Sequence, residues 1–282
     1  MKRSRSWRRL MAVLGTAALL PAGAARAGSE NGERARCAQL PDQGQLKAAL
    51  ASAVAAETSG LNNHMWATLV NRDGSVCAVA FSGTDRGAQW PGSRVISAQK
   101  ANTANAFSLD SGSFSAGSGQ PQGLVLSTAN LYSAVQPGGS LYGLQHSNPV
   151  DTGTGYEGPS FTYGTSRDPM VGQKIGGVNV FGGGLALYNS QGKIVGAVGA
   201  SGDTSCADHN VAWRVRNLLG LDYLKGVGGV SGDPERPDNI VFDITDNPFG
   251  GTGVSAGGFG HPKCLNTFGS DTLPAVQTPN IR

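Results

Sequence analysis

Residues 64–81 read HMWATLV-NRDG-S-VCAVAF. Two β-prone runs, His64 to Val70 and Val76 to Phe81, flank the turn Asn71-Arg72-Asp73-Gly74. Gly74 supplies the positive φ that such a turn needs, so the stretch predicts a β-hairpin. The same grammar returns in Leu185 to Tyr188, the turn Asn189-Ser190-Gln191-Gly192, and Ile194 to Val198. Around the hairpins the apolar period changes from two to that of a helix. Leu46, Leu50 and Val54 recur at helical spacing in an alanine-rich run that Gly60 ends. Arg94 to Phe107 has few breakers and many alanines, and Leu124 to Val135 predicts a further short helix. Ser201 to Ser205 is a polar bend suited to an N-cap, and Val211, Val215 and Leu218 then form the stripe of a last helix. Antiparallel hairpins with segregated helices define an α+β fold rather than a parallel βαβ sheet. Helices on one sheet face leave the other to be buried by a long loop or a second subunit.

The periodic core runs from about Leu46 to Leu224. Residues 110–122 and 149–176 are rich in Gly, Ser and Pro and read as loops. The second is long for a compact domain, and such loops are often functional. Composition thus divides the chain into a leader (1–27), an N-terminal segment (28–45), a core domain (46–225) and a Gly/Pro-rich, irregular C-terminal extension (226–282).

The leader combines Lys2, Arg3, Arg5, Arg8 and Arg9 with the apolar run Leu10 to Leu20, then Pro21 and Ala25-Arg26-Ala27. That is the pattern of a cleavable signal peptide, too short to span a bilayer, with a mature start near Gly28. Arg8-Arg9 before Leu10-Met11 resembles a twin-arginine export signal. The expected location is periplasmic or secreted, with no membrane span after cleavage. The leader holds six of the 22 basic residues and none of the 19 acidic ones, which leaves the rest of the chain at −3. A nucleic-acid surface, which needs a basic patch, is therefore not expected. Cys37, Cys77, Cys206 and Cys264 are an even set suited to two disulfides, with three pairings open. Cys37 and Cys264 flank the core pattern, so a bridge from either would clip an end of the chain onto the core.

Some segments are more specific. Lys100-Ala101-Asn102-Thr103-Ala104 with Phe107 is followed by Gln136-Pro137-Gly138-Gly139-Ser140-Leu141-Tyr142-Gly143-Leu144. Then come Gly177-Val178-Asn179-Val180-Phe181-Gly182-Gly183-Gly184 and Gly192-Lys193-Ile194-Val195-Gly196-Ala197-Val198-Gly199-Ala200-Ser201-Gly202. In this order and spacing, the chain from about 46 to 220 resembles the GlcG/HbpS family of haem-binding or haem-degrading proteins, which includes the C-terminal domain of PduO. The resemblance implies a profilin-like antiparallel sheet with flanking helices and assembly into homo-oligomers. It also implies haem or another tetrapyrrole as ligand, a corrinoid being the alternative, and extracellular haem sensing in some members. Haem degradation is an activity it allows, and no catalytic residue is assigned. The sequence departs from the family in the long insertion after Asn148, the C-terminal extension and the added cysteines. Where one member contacts iron through a Thr, this chain has Val180, which has no donor atom.

A haem needs an axial donor in an apolar slot and cations for its propionates. His146, inside a resembling segment and before the long loop, is the first choice as iron ligand, and His64 the second. Tyr142 is a further donor, and Lys100 a candidate propionate partner. Phe181 with Gly182 and Gly183 would let a flat ring lie close to the backbone. His209, beside Asp208, reads as a solvated or capping side chain, and His261 as part of the irregular extension. Two other chemistries are weaker. Gly199-Ala200-Ser201-Gly202-Asp203 lacks the last glycine of a nucleophile elbow and its parallel sheet. Asp203, Cys206, Asp208 and His209 do not converge as metal ligands on one helix face. The main rival to haem is a structural, assembly or partner-binding module without cofactor.

Overall fold

The computed structural model describes residues 37–110, 123–251, 253–266, 269 and 272–280. The leader and most of the 110–122 loop lie outside the described residues. Helix α1, Gln43–Ala55, starts from a capping box. Asp42 accepts from the Gln45 N–H, and the Gln45 side chain accepts from the Asp42 N–H, both at 2.9 Å. The first hairpin is β1, Trp66–Asn71, and β2, Val76–Phe81. Helix α2 spans Ser93–Ala106. The second hairpin is β3, Gly184–Tyr188, and β4, Ile194–Ser201, and helix α3 spans Ser205–Leu218 behind the Thr204 N-cap.

The four strands form one antiparallel sheet in the order β2-β1-β4-β3, so each hairpin contributes a central and an edge strand. Register pairs Trp66 with Phe81 on one side and with Ser201 on the other. Alternation along β1 sends Met65, Ala67 and Leu69 into a core shared with α1 and α3. Trp66 and Val70 enter a second core with Val95, Ala98, Ala101 and Ala104 of α2. The expectation of helices on one face is therefore corrected, since α2 lies on the face opposite α1 and α3. The small residues of α2 and β4 explain its closeness. A side chain at Gly199 would collide with the Ser97 carbonyl, and one at Gly184 with the Lys100 carbonyl. The 149–176 insertion completes this layer by burying Met170 and Ile175 against it.

Two further expectations change. Leu124 to Val135 is not an α-helix but two 3₁₀ turns, Ala129–Leu131 and Ser133–Val135. Asn130 explains it in part, because its side chain accepts from the Ser127 N–H and hydroxyl, both at 2.9 Å, in place of a helical ladder. The C-terminal extension is irregular apart from the small ladder β5, Ile244–Thr245, with β6, Val254–Ser255, but it is no loose tail. It buries Leu273 and Val276 in the main core, and the Trp213 indole donates to the Pro274 carbonyl at 2.9 Å. The disulfides are Cys37–Cys77 and Cys206–Cys264, so each joins a flanking cysteine to the core. Among the described residues no helix is long and apolar enough to cross a membrane.

Candidate functional site

Phe181-Gly182-Gly183-Gly184 leads into β3 at the end of the sheet where β4 gives way to α3. Lys100 reaches this point from α2 and is fully buried. Its ammonium donates to the Asp208 carboxylate at 2.6 Å and to the Ala200 carbonyl at 3.1 Å, and lies 4.1 Å from the Phe181 ring centroid. The other Asp208 oxygen accepts from the Asp203 N–H at 2.9 Å. Burial pushes Asp208 up to about 6 and Lys100 down, and each charge opposes the other's shift.

This arrangement corrects four expectations. Lys100 is committed to Asp208 and has no exposure with which to meet a propionate. Side chains are missing at Gly182 and Gly183 because the protein itself comes close there. A Cβ at Gly182 would strike the Ser205 carbonyl, and one at Gly183, where φ is +116°, would strike the Ala200 carbonyl. Phe181 lies over the Lys100 ammonium. The preceding Val178 and Val180 are buried among Leu126, Leu131 and Val135. The space expected to take a flat ring beside Phe181, Gly182 and Gly183 is thus taken up by the protein's own backbone and side chains.

The three donor residues lie at the surface. His146 is exposed on a single helical turn, Leu144–Ser147, and Tyr142 is exposed just before it. His64 is exposed elsewhere, with its ring edge-on to Phe81 at 5.9 Å and Nδ1 3.3 Å from the Ser82 hydroxyl.

Sequence reasoning passed over two histidines that the structure buries. His209, expected at the surface, has no exposure, and its Nε2 lies 3.2 Å from Asn239 Oδ1. His261, expected in a loose extension, has Nε2 2.7 Å from the Ser205 hydroxyl and Nδ1 2.7 Å from the Pro262 carbonyl. With the Nδ1 proton donated to Pro262, the Ser205 hydroxyl donates to Nε2 and accepts from the Gly182 N–H at 2.6 Å. The pair ties the extension to the start of α3, beside the Cys206–Cys264 bridge. Asp208 and Asn239 were also missed. The only local signal for Asp208 is the run of polar residues in a helix whose two faces both turn out to be covered, and Asn239, in the irregular extension, has none.

Burial lowers both histidines to about 4. His209 faces Asp238 and Arg216, and His261 faces Lys100. The unfolded chain takes up these protons near the ordinary histidine value of about 6.5, and the folded chain only near pH 4, so stability is lost as pH falls through that window. Asp208 opposes this, since the folded protein takes up its proton first, near pH 6. Two histidines outweigh one carboxylate. Urea unfolding should therefore show a net loss on the order of 3 kcal/mol between pH 7 and 4.5, and His261→Gln should remove most of it.

Among the described residues, four surface cavities, beside Trp66, Gln136, Pro41 and Phe242, take no wall from the seven residues expected to hold a haem. The largest of the four, 480 Å³, is a groove between Gln136–Ser140 and the stretch from Gly253 to Phe259 in the extension. Its two sides are tied together by Ser133, whose hydroxyl donates to the Gly260 carbonyl at 2.6 Å. Side-chain positions at Gly138 and Gly258 meet open space. Pro137, Val254 and Phe259 supply apolar surface, and Gln136, Ser140 and Ser255 polar groups.

A four-stranded antiparallel sheet between helices, entered through a glycine run packed on the start of the last helix, defines a GlcG-like α+β domain. The chain belongs to the HbpS-like family, described as haem degrading protein HbpS-like, whose model matches residues 44–216. Among solved structures it is similar to Klebsiella pneumoniae protein ORFY, at 23% identity over 62% of this chain and 85% of that one, with a TM-score of 0.39. It is also similar to a PduOC–haem complex, at 21% identity over 63% and 91% of the two chains, with a TM-score of 0.41. No curated protein matches the chain.

Proposed function

We propose that this chain is an exported haem-binding protein, acting in haem capture, sensing or detoxification. The observation that carries the reading is membership of the HbpS-like family over residues 44–216. The leader-like residues 1–27 and two disulfides suit an oxidising compartment.

The interior does not fit a macrocycle at Val178–Gly184, so the haem is assigned to the glycine-lined groove outside. Gly138 and Gly258 leave its walls clear for a flat ring, and Phe259 and Val254 give it apolar contact. The groove walls hold no His, Tyr, Met or Cys. Exposed His146 and Tyr142, on the segment that continues from Gln136–Ser140, are the donors within the same family motif. Bound haem would supply an iron centre open to redox and ligand chemistry. The groove's own part would be to seat the ring and shield one face from water, and an imidazole or phenolate would have to come from His146 or Tyr142, outside its walls.

The test is titration of the mature chain with hemin. A saturable, shifted Soret band at micromolar hemin is expected, with loss of the shift in His146→Ala/Tyr142→Phe. Both substitutions are at exposed positions and leave the core untouched. No saturable binding would favour the assembly-module reading, and tighter binding of a corrinoid in a parallel titration would replace haem as ligand. Native mass, with and without hemin, reads the homo-oligomer that the family resemblance implies.

A further inference from the structure

The insertion at 149–176 does more than cover the sheet. Its Tyr156, Ser160 and Tyr163 meet Trp66 of β1 and Arg86 and Arg94 of the β2–α2 region around a separate cavity of 320 Å³. Trp66 is almost fully buried, so it forms the floor, while Tyr156 is about half exposed at the rim. The Tyr163 ring is held in place because its hydroxyl lies 2.9 Å from the Tyr156 carbonyl and 3.1 Å from that of Glu157.

The two arginines differ. Arg94 is buried, bonded to both oxygens of Asp168 and, at 2.7 Å, to the Gly155 carbonyl, and stacks 3.6 Å from the Tyr163 centroid. Its charge is neutralised and its role is to fix the wall. Arg86 has no ion-pair partner and no side-chain hydrogen bond among the described residues, and its guanidinium lies over the Tyr163 ring, 5.9 Å from the centroid. Neighbouring Asp85 is occupied in capping its own turn, accepting from the Gly87 N–H at 2.8 Å. An aromatic slot with one uncompensated guanidinium at its side selects an anion over a cation, and a flat apolar body over a sugar or phosphate. The volume lies at the small end of ligand pockets and excludes a porphyrin.

We infer that this cavity is a second binding site, taking a small planar aromatic carboxylate of one or two fused rings. The ring lies between Trp66 and the two tyrosines, and the carboxylate pairs with Arg86. The segment that builds the site is one of the three departures from the family pattern that the sequence suggests, and on that reading the site is an addition to the common fold.

Isothermal titration calorimetry of the full chain with 2-naphthoate, and with uncharged 2-naphthamide, tests the inference. Single-site binding of naphthoate is expected, at least about tenfold tighter than the amide, a charge-assisted hydrogen bond being worth that much. Arg86→Gln, at the surface, should weaken naphthoate about tenfold and leave the amide unchanged, and Tyr156→Ala should weaken both. Hemin binding should persist in Arg86→Gln, which separates this site from the haem reading. Equal affinities for acid and amide, an unchanged naphthoate affinity in Arg86→Gln, or no saturation at millimolar probe would overturn it.

Discussion

Lys100→Met alone should destabilise the protein by about 3–5 kcal/mol, while Lys100→Met with Asp208→Leu should recover most of that loss. The single change leaves the Asp208 carboxylate at zero exposure with only the Asp203 N–H as a partner. A buried charge without its counterion is far more costly than the pair is beneficial. The double change replaces the pair with apolar volume. Chemical denaturation of the single and double variants, read as a double-mutant cycle, gives the coupling directly. A single variant within about 1 kcal/mol of wild type would mean that water reaches the pair. It would also reopen the case for Lys100 as a ligand-facing residue.

Removing the second disulfide by Cys206→Ala/Cys264→Ala should cost about 4 kcal/mol, since the bridge closes a long loop, with a sequence separation of 58. The loss should not be uniform. The bridge holds Pro262 and His261 against the start of α3, and the Ser205–His261 hydrogen bond depends on that placement. Amide exchange in the variant should therefore quicken at Gly182, whose N–H is bonded to Ser205, before it quickens in the sheet. Uniform exchange across the molecule, with an unchanged midpoint in denaturant, would refute this account.

The hairpins and the helices were legible in the sequence because their signals are local. Asn71 to Gly74 and Asn189 to Gly192 are turns by composition, and α2 and α3 lie within a residue or so of the alanine-rich run and the Val211 stripe. The resemblance to the GlcG/HbpS family was legible too, because its motifs keep their order along the chain. What could not be read was which residues a distant segment covers. Asp208 and His209 look like the polar face of a surface helix until Lys100 of α2 meets the first and Asn239 of the extension meets the second. Lys100 looks like a free cation until α2 and α3, on opposite faces of the sheet, are seen to meet at its end. The glycines at 182–184 invited a ligand reading because absence of a side chain is the same signal whether a ring or the protein's own backbone takes the space. Leu124 to Val135 failed for a different reason, as Ser127 and Asn130 bond locally and break the helical ladder.

Asp238, Leu273 and Val276 all lie beyond the family match, yet Asp238 supplies the counterion of fully buried Arg216 and the other two sit in the main core. A gene trimmed at residue 225 would strand a guanidinium in an apolar interior and open a hole beside Trp213. The unit that homology delimits is thus smaller than the unit that can stand alone, and a minimal expression fragment has to reach at least Val276.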